Sequence, residues 1–388
     1  MEPKTFDTNS PGQLIHVGQG ELAYWAFMPN PLPPSIALEN RLWIALSEAD
    51  RALGELAGLG RIVPNPHLLI QPFIRREAVL SSRIEGTQAS LSDLYAFEAE
   101  QLAFPMLDSS ATADVREVYN YVRALEYGLA KLDELPVSLR WIREIHRQLM
   151  EGVRGEQMTP GEFRRSQNWI GIPGCALRDA TFVPPPVEQM QEALHQLENY
   201  LHVENSYPPL IRLAFLHYQF EAIHPFLDGN GRIGRLLIVL LLVHWGLLSA
   251  PLLYLSAYFE HHRSQYYDSL LGVTQSGKWV DWLVFFLQGI QEQARDATAR
   301  ARELLDLRER WTEMMQATRA TSLMYQVVDL LVERPILTAN QVVDRCHMTH
   351  PAAMKTLRRL EAIGIVRQAG TGRRNLRFVA DDIINIIS

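Results

Sequence analysis

The chain has 388 residues, 47% of them hydrophobic and 21% charged, with a formal net charge of −7. This is the composition of a soluble globular protein large enough for two or three domains, and it argues against a protein that coats nucleic acid nonspecifically over its whole surface. The two cysteines, Cys175 and Cys346, lie far apart in unlike contexts. That excludes a disulfide scaffold, suggests neither a metal cluster nor a bridge, and makes a reducing, cytoplasmic setting the natural reading.

The first residues carry no basic segment followed by an apolar core, so no signal peptide is expected. Residues 1–35 are rich in Pro, Gly and Asn around a short apolar stretch (Leu22, Tyr24, Trp25, Phe27) and read as an irregular arm against the body. A first helix is expected over residues 37–56. A second opens with Asn65 as N-cap and Pro66 at the first helical position, and ends in Ser81-Ser-Arg-Ile-Glu85-Gly86. Taken alone, that ending is a helix C-terminus with Gly86 in the left-handed cap position and Glu85 solvated. Helices with short breaks continue from 93 to 204, the one over 138–151 setting Leu139, Ile142, Ile145 and Leu149 on one face. Strand character is confined to residues 163–170 and 180–183, on either side of a Gly/Pro loop, which reads as a surface hairpin.

Residues 236–255 contain no charge, long enough on paper to span a bilayer, but His244, Gly246, Ser249 and Pro251 interrupt them. They read as a helix buried on all sides and then a turn, with no membrane span. Between 252 and 286, Tyr and Trp are frequent and mostly packing residues, although Tyr254, Tyr266 and Tyr267 could border a base. An Ala/Arg/Glu-rich helix over 287–312, with i, i+4 charge pairs, reads as a linker.

The last 68 residues read as helix, helix-turn-helix and hairpin: Thr338 caps a helix to Cys346, Pro351 opens another to Ala362, and strand-like runs flank Gly370-Thr-Gly372. From Thr321 onward there are nine Lys/Arg against six Asp/Glu, mildly basic within an acidic whole. A winged helix is the expected form. Lys355, Arg358, Arg373, Arg374 and Arg377 could face phosphates of DNA, and protein docking or dimerisation is the equal alternative.

The chemistry concentrates in His224-Pro-Phe-Leu-Asp-Gly-Asn-Gly-Arg-Ile-Gly-Arg235. Pro225 disfavours the α region for His224, so the preceding helix stops there. Gly229-Asn230-Gly231 allows close approach of a ligand, and the N–H groups of the helix that follows make an anion site. Arg232 and Arg235, three apart, offer forked donors to the outer phosphates of a nucleotide. Asp228 is a hard oxygen ligand suited to Mg²⁺ beside phosphates, and His224 is a base of suitable pKa for a hydroxyl.

These twelve residues match every fixed position of His-x-Phe-x-(Asp/Glu)-Gly-Asn-Gly-Arg-x-x-Arg, and the chain here resembles the Fic (filamentation induced by cAMP) family. The resemblance extends from the N-terminal helices to about residue 290. It implies an all-α Fic fold with a small β-hairpin flap, followed by the winged helix: an N-terminal helical region over 1–100, a catalytic core over 101–290, a linker helix over 291–320 and the last unit over 321–388. It implies a protein adenylyltransferase moving AMP from Mg·ATP to a Ser, Thr or Tyr hydroxyl of a target protein or of itself, and a homodimer. In that reading His224 is the base, Asp228 holds the metal, Gly229, Asn230, Gly231, Arg232 and Arg235 bind the nucleotide, and Phe226 anchors the loop. The segment 163–183 corresponds to the flap that aligns a target by strand addition. Ser81, Glu85 and Gly86 resemble the family's inhibitory motif, with Glu85 pairing Arg235 against the γ-phosphate. Two alternatives stay open: a DNA-binding regulator whose core senses nucleotide, and an enzyme that removes AMP.

Overall fold

The computed structural model describes residues 1–20, 23–37, 39–62, 67–103, 113–132, 134–153, 158–172, 174–203, 206–318, 320–369 and 376–388. An antiparallel pair, β1 (Gly12–Val17) and β2 (Tyr24–Pro29), precedes a helical body. The body comprises α1 (Asn40–Ile62), α2 (His67–Ile84), α3 (Leu91–Ala103), α4 (Ala113–Lys131), α5 (Leu139–Met150), α6 (Val187–His202), α7 (Pro209–Ile223), α8 (Asn230–His244), α9 (Ser256–His261), α10 (Arg263–Ser276) and α11 (Trp279–Ala317). The chain ends in α12 (Ser322–Glu333), β3 (Ile336–Thr338), α13 (Ala339–Cys346), α14 (His350–Ala362), β4 (Arg367–Ala369), β5 (Arg377–Val379) and α15 (Asp381–Ile387). The expected cap at Asn65 and Pro66, and the loop holding Gly370, Gly372, Arg373 and Arg374, lie outside the described residues.

The body is built around α7 and α8. Each has twelve buried residues among fifteen, so neither carries a polar stripe and both are enclosed by other helices. No described helix is long and apolar enough to cross a membrane. Around this pair, α5 starts where Ser138 Oγ accepts the Trp141 N–H at 3.3 Å, and it buries Trp141, Ile142, Ile145 and Leu149. Where α4 meets α8 the helices come close because Gly128 lacks a side chain: a Cβ there would lie 2.9 Å from Leu240 Cδ1 and 3.3 Å from Ile145 Cδ1.

Three expectations about elements change. The N-terminal arm is an ordered hairpin, with Gly12 opposite Pro29 and Val17 opposite Tyr24. Its order comes from tertiary pairing, since the Phe27 N–H donates to the Val183 carbonyl at 2.9 Å and the Phe27 ring is fully buried. The hairpin over 163–183 is reduced to one bridge, Ile170 with Phe182. Its first run instead meets the motif loop, the Arg164 N–H donating to the Pro225 carbonyl at 2.9 Å. The helix expected over 287–312 is the second half of the 39-residue α11, which lies along α1. Arg41 meets Asp281 at 2.6 Å, Glu48 meets Arg295 at 2.9 Å and Glu55 meets Arg302 at 2.7 Å, so the two helices run in the same direction. Exposed pairs of this kind fix register more than stability.

In the C-terminal unit Thr338 and Gln341 form a capping box at the start of α13, and β3, β5 and β4 make an antiparallel sheet in that order. Helix α12 packs on α2, and α15 packs on α11 and α2.

The close approach at Gly128 generates a stability prediction. Gly128→Val forces α4 away from α8, and chemical denaturation is expected to show a loss of about 1–3 kcal/mol, as overpacked cores do.

Candidate active site

Helix α7 ends at Ile223, and His224 takes a left-handed conformation with φ 49° and ψ 60°. The turn keeps its N–H on the Phe220 carbonyl at 3.0 Å. His224 Nδ1 lies 3.3 Å from the Glu221 carbonyl, an acceptor only, so Nδ1 carries the hydrogen and Nε2 is left with its lone pair. Burial, with smaller effects from neighbouring groups, pushes the His224 pKa down to about 4, so the ring is neutral at pH 7.

The loop between α7 and α8 is tied to itself. Asn230, 2% exposed, accepts the Phe226 N–H and donates to the Phe226 carbonyl, both at 2.8 Å. Its amide is therefore engaged in closing the loop, and the groups facing a ligand are the backbone N–H groups at the start of α8. Gly229, at φ 80°, makes the turn into that helix and donates to Asp228 Oδ1 at 2.6 Å. Phe226 is fully buried and stacks on His146 with 3.7 Å between ring centroids. His146 accepts the Gly161 N–H on Nδ1 at 2.9 Å, and its Nε2–H donates to the Asp228 carbonyl at 3.0 Å. The Asp228 side chain remains 47% exposed at the rim.

Both arginines of the motif are buried beneath this loop. Arg232 meets Glu117 at 3.4 Å and Asp228 at 3.5 Å, and its Nε has no hydrogen-bond partner among the described residues. Arg235 is held tightly: Nε donates to Ser81 Oγ at 2.8 Å, and Nη2 donates to the Ser81 carbonyl at 3.0 Å and to Glu85 Oε1 at 2.6 Å. Burial works against the Arg235 charge, but the Glu85 carboxylate outweighs it and the pKa is raised. For Glu85, likewise, burial pushes upward and Arg235 more than reverses it, leaving the pKa lowered. A Cβ at Gly231 would lie 2.5 Å from Glu85 Oε1, so the carboxylate rests directly on the N-terminus of α8. Gly86, at φ 101°, turns the chain away after α2.

The family model for the Fic/DOC family N-terminal region matches residues 43–130, and the Fic/DOC family model matches residues 136–242. The chain belongs to the Fic/DOC family. It is 31% identical over 190 residues to the protein adenylyltransferase Fic of Drosophila grimshawi, covering 48% of this chain and 35% of that one. To its counterpart in Culex quinquefasciatus it is 30% identical over 191 residues, covering 48% and 34%. The chain thus spans about a third of the length of these curated relatives. Among solved structures, a Fic family protein from Desulfovibrio desulfuricans superimposes with a TM-score of 0.58 at 18% identity, covering 90% of this chain and 98% of that one. A Fic domain containing signaling protein from Bacteroides thetaiotaomicron gives 0.52 at 20% identity, over 66% and 95%. These two likenesses establish that the mostly helical fold is the Fic fold.

Within this Fic core the structure brings Ser81 and Glu85 onto the motif, and it reassigns two of the aromatic residues. Tyr254 is buried with its hydroxyl on the Pro251 carbonyl at 2.6 Å, and Tyr266 is buried 2.8 Å from His217 Nε2, so both hydroxyls are taken up within the fold. Tyr267, 42% exposed, does face out. Sequence reasoning passed over His146, Arg164 and Glu117. A histidine on the apolar stripe of α5 and an arginine in the flap's first run were the only signals, and both look like ordinary packing or surface residues.

The buried ionisable groups give the Fic core a two-stage acid response. Burial lowers His146 and His224 to about 4 and His217 to about 3, and raises Glu77 and Glu221 to about 7. Below the ordinary histidine value of 6.5 the unfolded chain protonates three histidines that the fold keeps neutral, which lowers stability. Between 7 and the ordinary carboxyl value of 4.5 the fold protonates two glutamates that the unfolded chain leaves ionised, which works the other way. Below 4.5 that compensation ends and Glu85, whose pKa is lowered, joins the histidines. Circular dichroism melts are expected to show a gentle decline in Tm from pH 6.5 to 4.5 and a steep one below.

Proposed function

We propose that the protein is an autoinhibited adenylyltransferase that moves AMP from Mg·ATP to a Ser, Thr or Tyr hydroxyl of a target protein or of itself. The observation that carries this reading is a neutral histidine with a free Nε2 beside a helix N-terminus whose buried arginine is occupied by a carboxylate. His224 takes the proton of the incoming hydroxyl as its oxygen bonds to the α-phosphorus. The bond from that phosphorus to the α–β bridging oxygen breaks, and pyrophosphate leaves. Backbone N–H groups at the start of α8 face the charge that develops, and Arg232 and Arg235 hold the departing phosphates. Asp228, half-exposed beside the cradle, fits as the single protein ligand of Mg²⁺, whose remaining positions phosphate oxygens and water would fill. Bound there, Mg²⁺ would neutralise phosphate charge.

In this reading Glu85 acts as the brake, because it fills the guanidinium that the γ-phosphate requires and repels phosphate besides. Ser81 takes part by holding the same arginine. The exposed Trp169, Ile170 and Ile172 would meet the target at the flap. The homodimer and the cytoplasmic setting belong to the same proposal.

For residues 321–388 we propose a winged helix used for protein docking. Arg345 pairs with Glu333, Arg358 with Glu361 and Arg367 with Asp381, so the unit's own carboxylates already take several of its cations.

Two experiments test these readings. Wild type is expected to incorporate little label from α-labelled ATP, Glu85→Gly to label itself or a partner, and Glu85→Gly with His224→Ala to fall by on the order of 10²- to 10⁴-fold. Mass spectrometry of the Glu85→Gly protein should show the AMP adduct. No adduct with Mg²⁺ present sinks the transferase reading, and loss of AMP from a modified protein that stops on Glu85 substitution favours the reverse reaction. The full chain is expected to pass through a DNA column at low salt, and salt-dependent, sequence-selective retention would favour the regulator instead.

A further inference from the structure

Arg164 is 1% exposed, and among the described residues no carboxylate meets it. Its guanidinium is fanned over backbone carbonyls: Nε donates to His224 at 3.1 Å, Nη1 to Ser166 at 3.3 Å, and Nη2 to Pro185. Its own N–H donates to the Pro225 carbonyl at 2.9 Å. A buried cation without a counter-ion is costly, and a fold that needed only packing here would have a neutral side chain. What an arginine supplies and a neutral side chain does not is a rigid planar fork with donors in three directions, always charged and therefore strong toward carbonyls.

The three carbonyls come from three places. His224 is the base, in a left-handed conformation that is uncommon for a residue other than glycine and is favoured where surrounding contacts hold it. Ser166 lies in the first run of the flap, and Pro185 lies two residues beyond its second. Asn168, on the same run, reinforces the join by donating to the His224 carbonyl at 3.3 Å and the Phe226 carbonyl at 2.8 Å.

The structure assigns Arg164 a positioning role: it holds the peptide of the base in its left-handed turn and fastens that turn to both arms of the flap, so that base and target platform form one rigid body. The assignment rests on the transferase reading, in which the target hydroxyl lies on the flap and must meet His224 Nε2. Burial lowers the Arg164 pKa only to about 10, so the side chain is charged at neutral pH. Burial is the main cause of the depressed His224 pKa, and the Arg164 charge adds to it.

The test uses Arg164→Met and Arg164→Lys in the full-length Glu85→Gly protein, with α-labelled ATP. Arg164→Met is expected to lower kcat by on the order of 10²-fold, the effect of a displaced reacting group, while KM for ATP changes little because the phosphate cradle is untouched. Arg164→Lys is expected to recover part of the loss, having charge but no fork. Histidine side-chain NMR, with His224 assigned from His224→Ala, should show the His224 midpoint moving upward in Arg164→Met and less in Arg164→Lys. Equal losses in kcat and in folded fraction by circular dichroism, or an unmoved His224 midpoint, would overturn the assignment. If the Glu85→Gly parent takes no label at all, the transferase reading fails, and the NMR titration still decides whether Arg164 governs His224.

Discussion

Everything in this active site depends on burying the Arg235 guanidinium. A cation 2% exposed is costly unless its donors are satisfied and its charge is offset, and α8 carries no carboxylate of its own. Ser81, in the last turn of α2, supplies a hydroxyl and a carbonyl, and Glu85, just beyond the helix end, supplies the charge. This one requirement fixes where α2 ends, why Gly231 must lack a side chain and why the carboxylate lies on the helix N-terminus where a phosphate would bind. The same contacts thus serve the stability of the fold and the proposed restraint on activity.

A second layer of interactions shapes the loop between α7 and α8 from outside. His146 reaches from α5 to the backbone of Asp228 and stacks on Phe226, Asn230 closes the loop from within, and Arg164 and Asn168 reach in from the flap. Apart from the ring stack on Phe226, each contact ends on a backbone group and not on a reacting one. The site is therefore shaped largely through its main chain, which leaves His224 Nε2 and the exposed part of the Asp228 carboxylate for a ligand, while Glu85 lies over the first N–H groups of α8.

Much of this was legible in the sequence, for a definite reason. His224, Asp228, the glycines and the two arginines are contiguous, and proline, glycine and helix-terminus chemistry act over a few residues. The capping box at Thr338 and the apolar face of α5 were legible for the same reason. Local chemistry gives Glu85 as a solvated residue at a helix end, and its side chain does keep 35% exposure; only the family resemblance pointed to its partner Arg235. The order of β1 and β2, the inward turn of the Asn230 amide and the parts played by His146 and Arg164 depend on groups far away in sequence. The flap was overread as a hairpin because β propensity cannot say that one run will bond to the motif loop instead.

The contacts between Arg235 and α2 join residues 154 and 150 positions apart. They also have a consequence for folding kinetics. Closing so long a loop is an entropic cost met late, when other contacts have already brought the helices together. Burying Arg235 is costly until the end of α2 is in place, so α8 and α2 are expected to settle together. In the proposed reading the finished fold therefore already carries Glu85 on Arg235, and access to the guanidinium requires that contact to part.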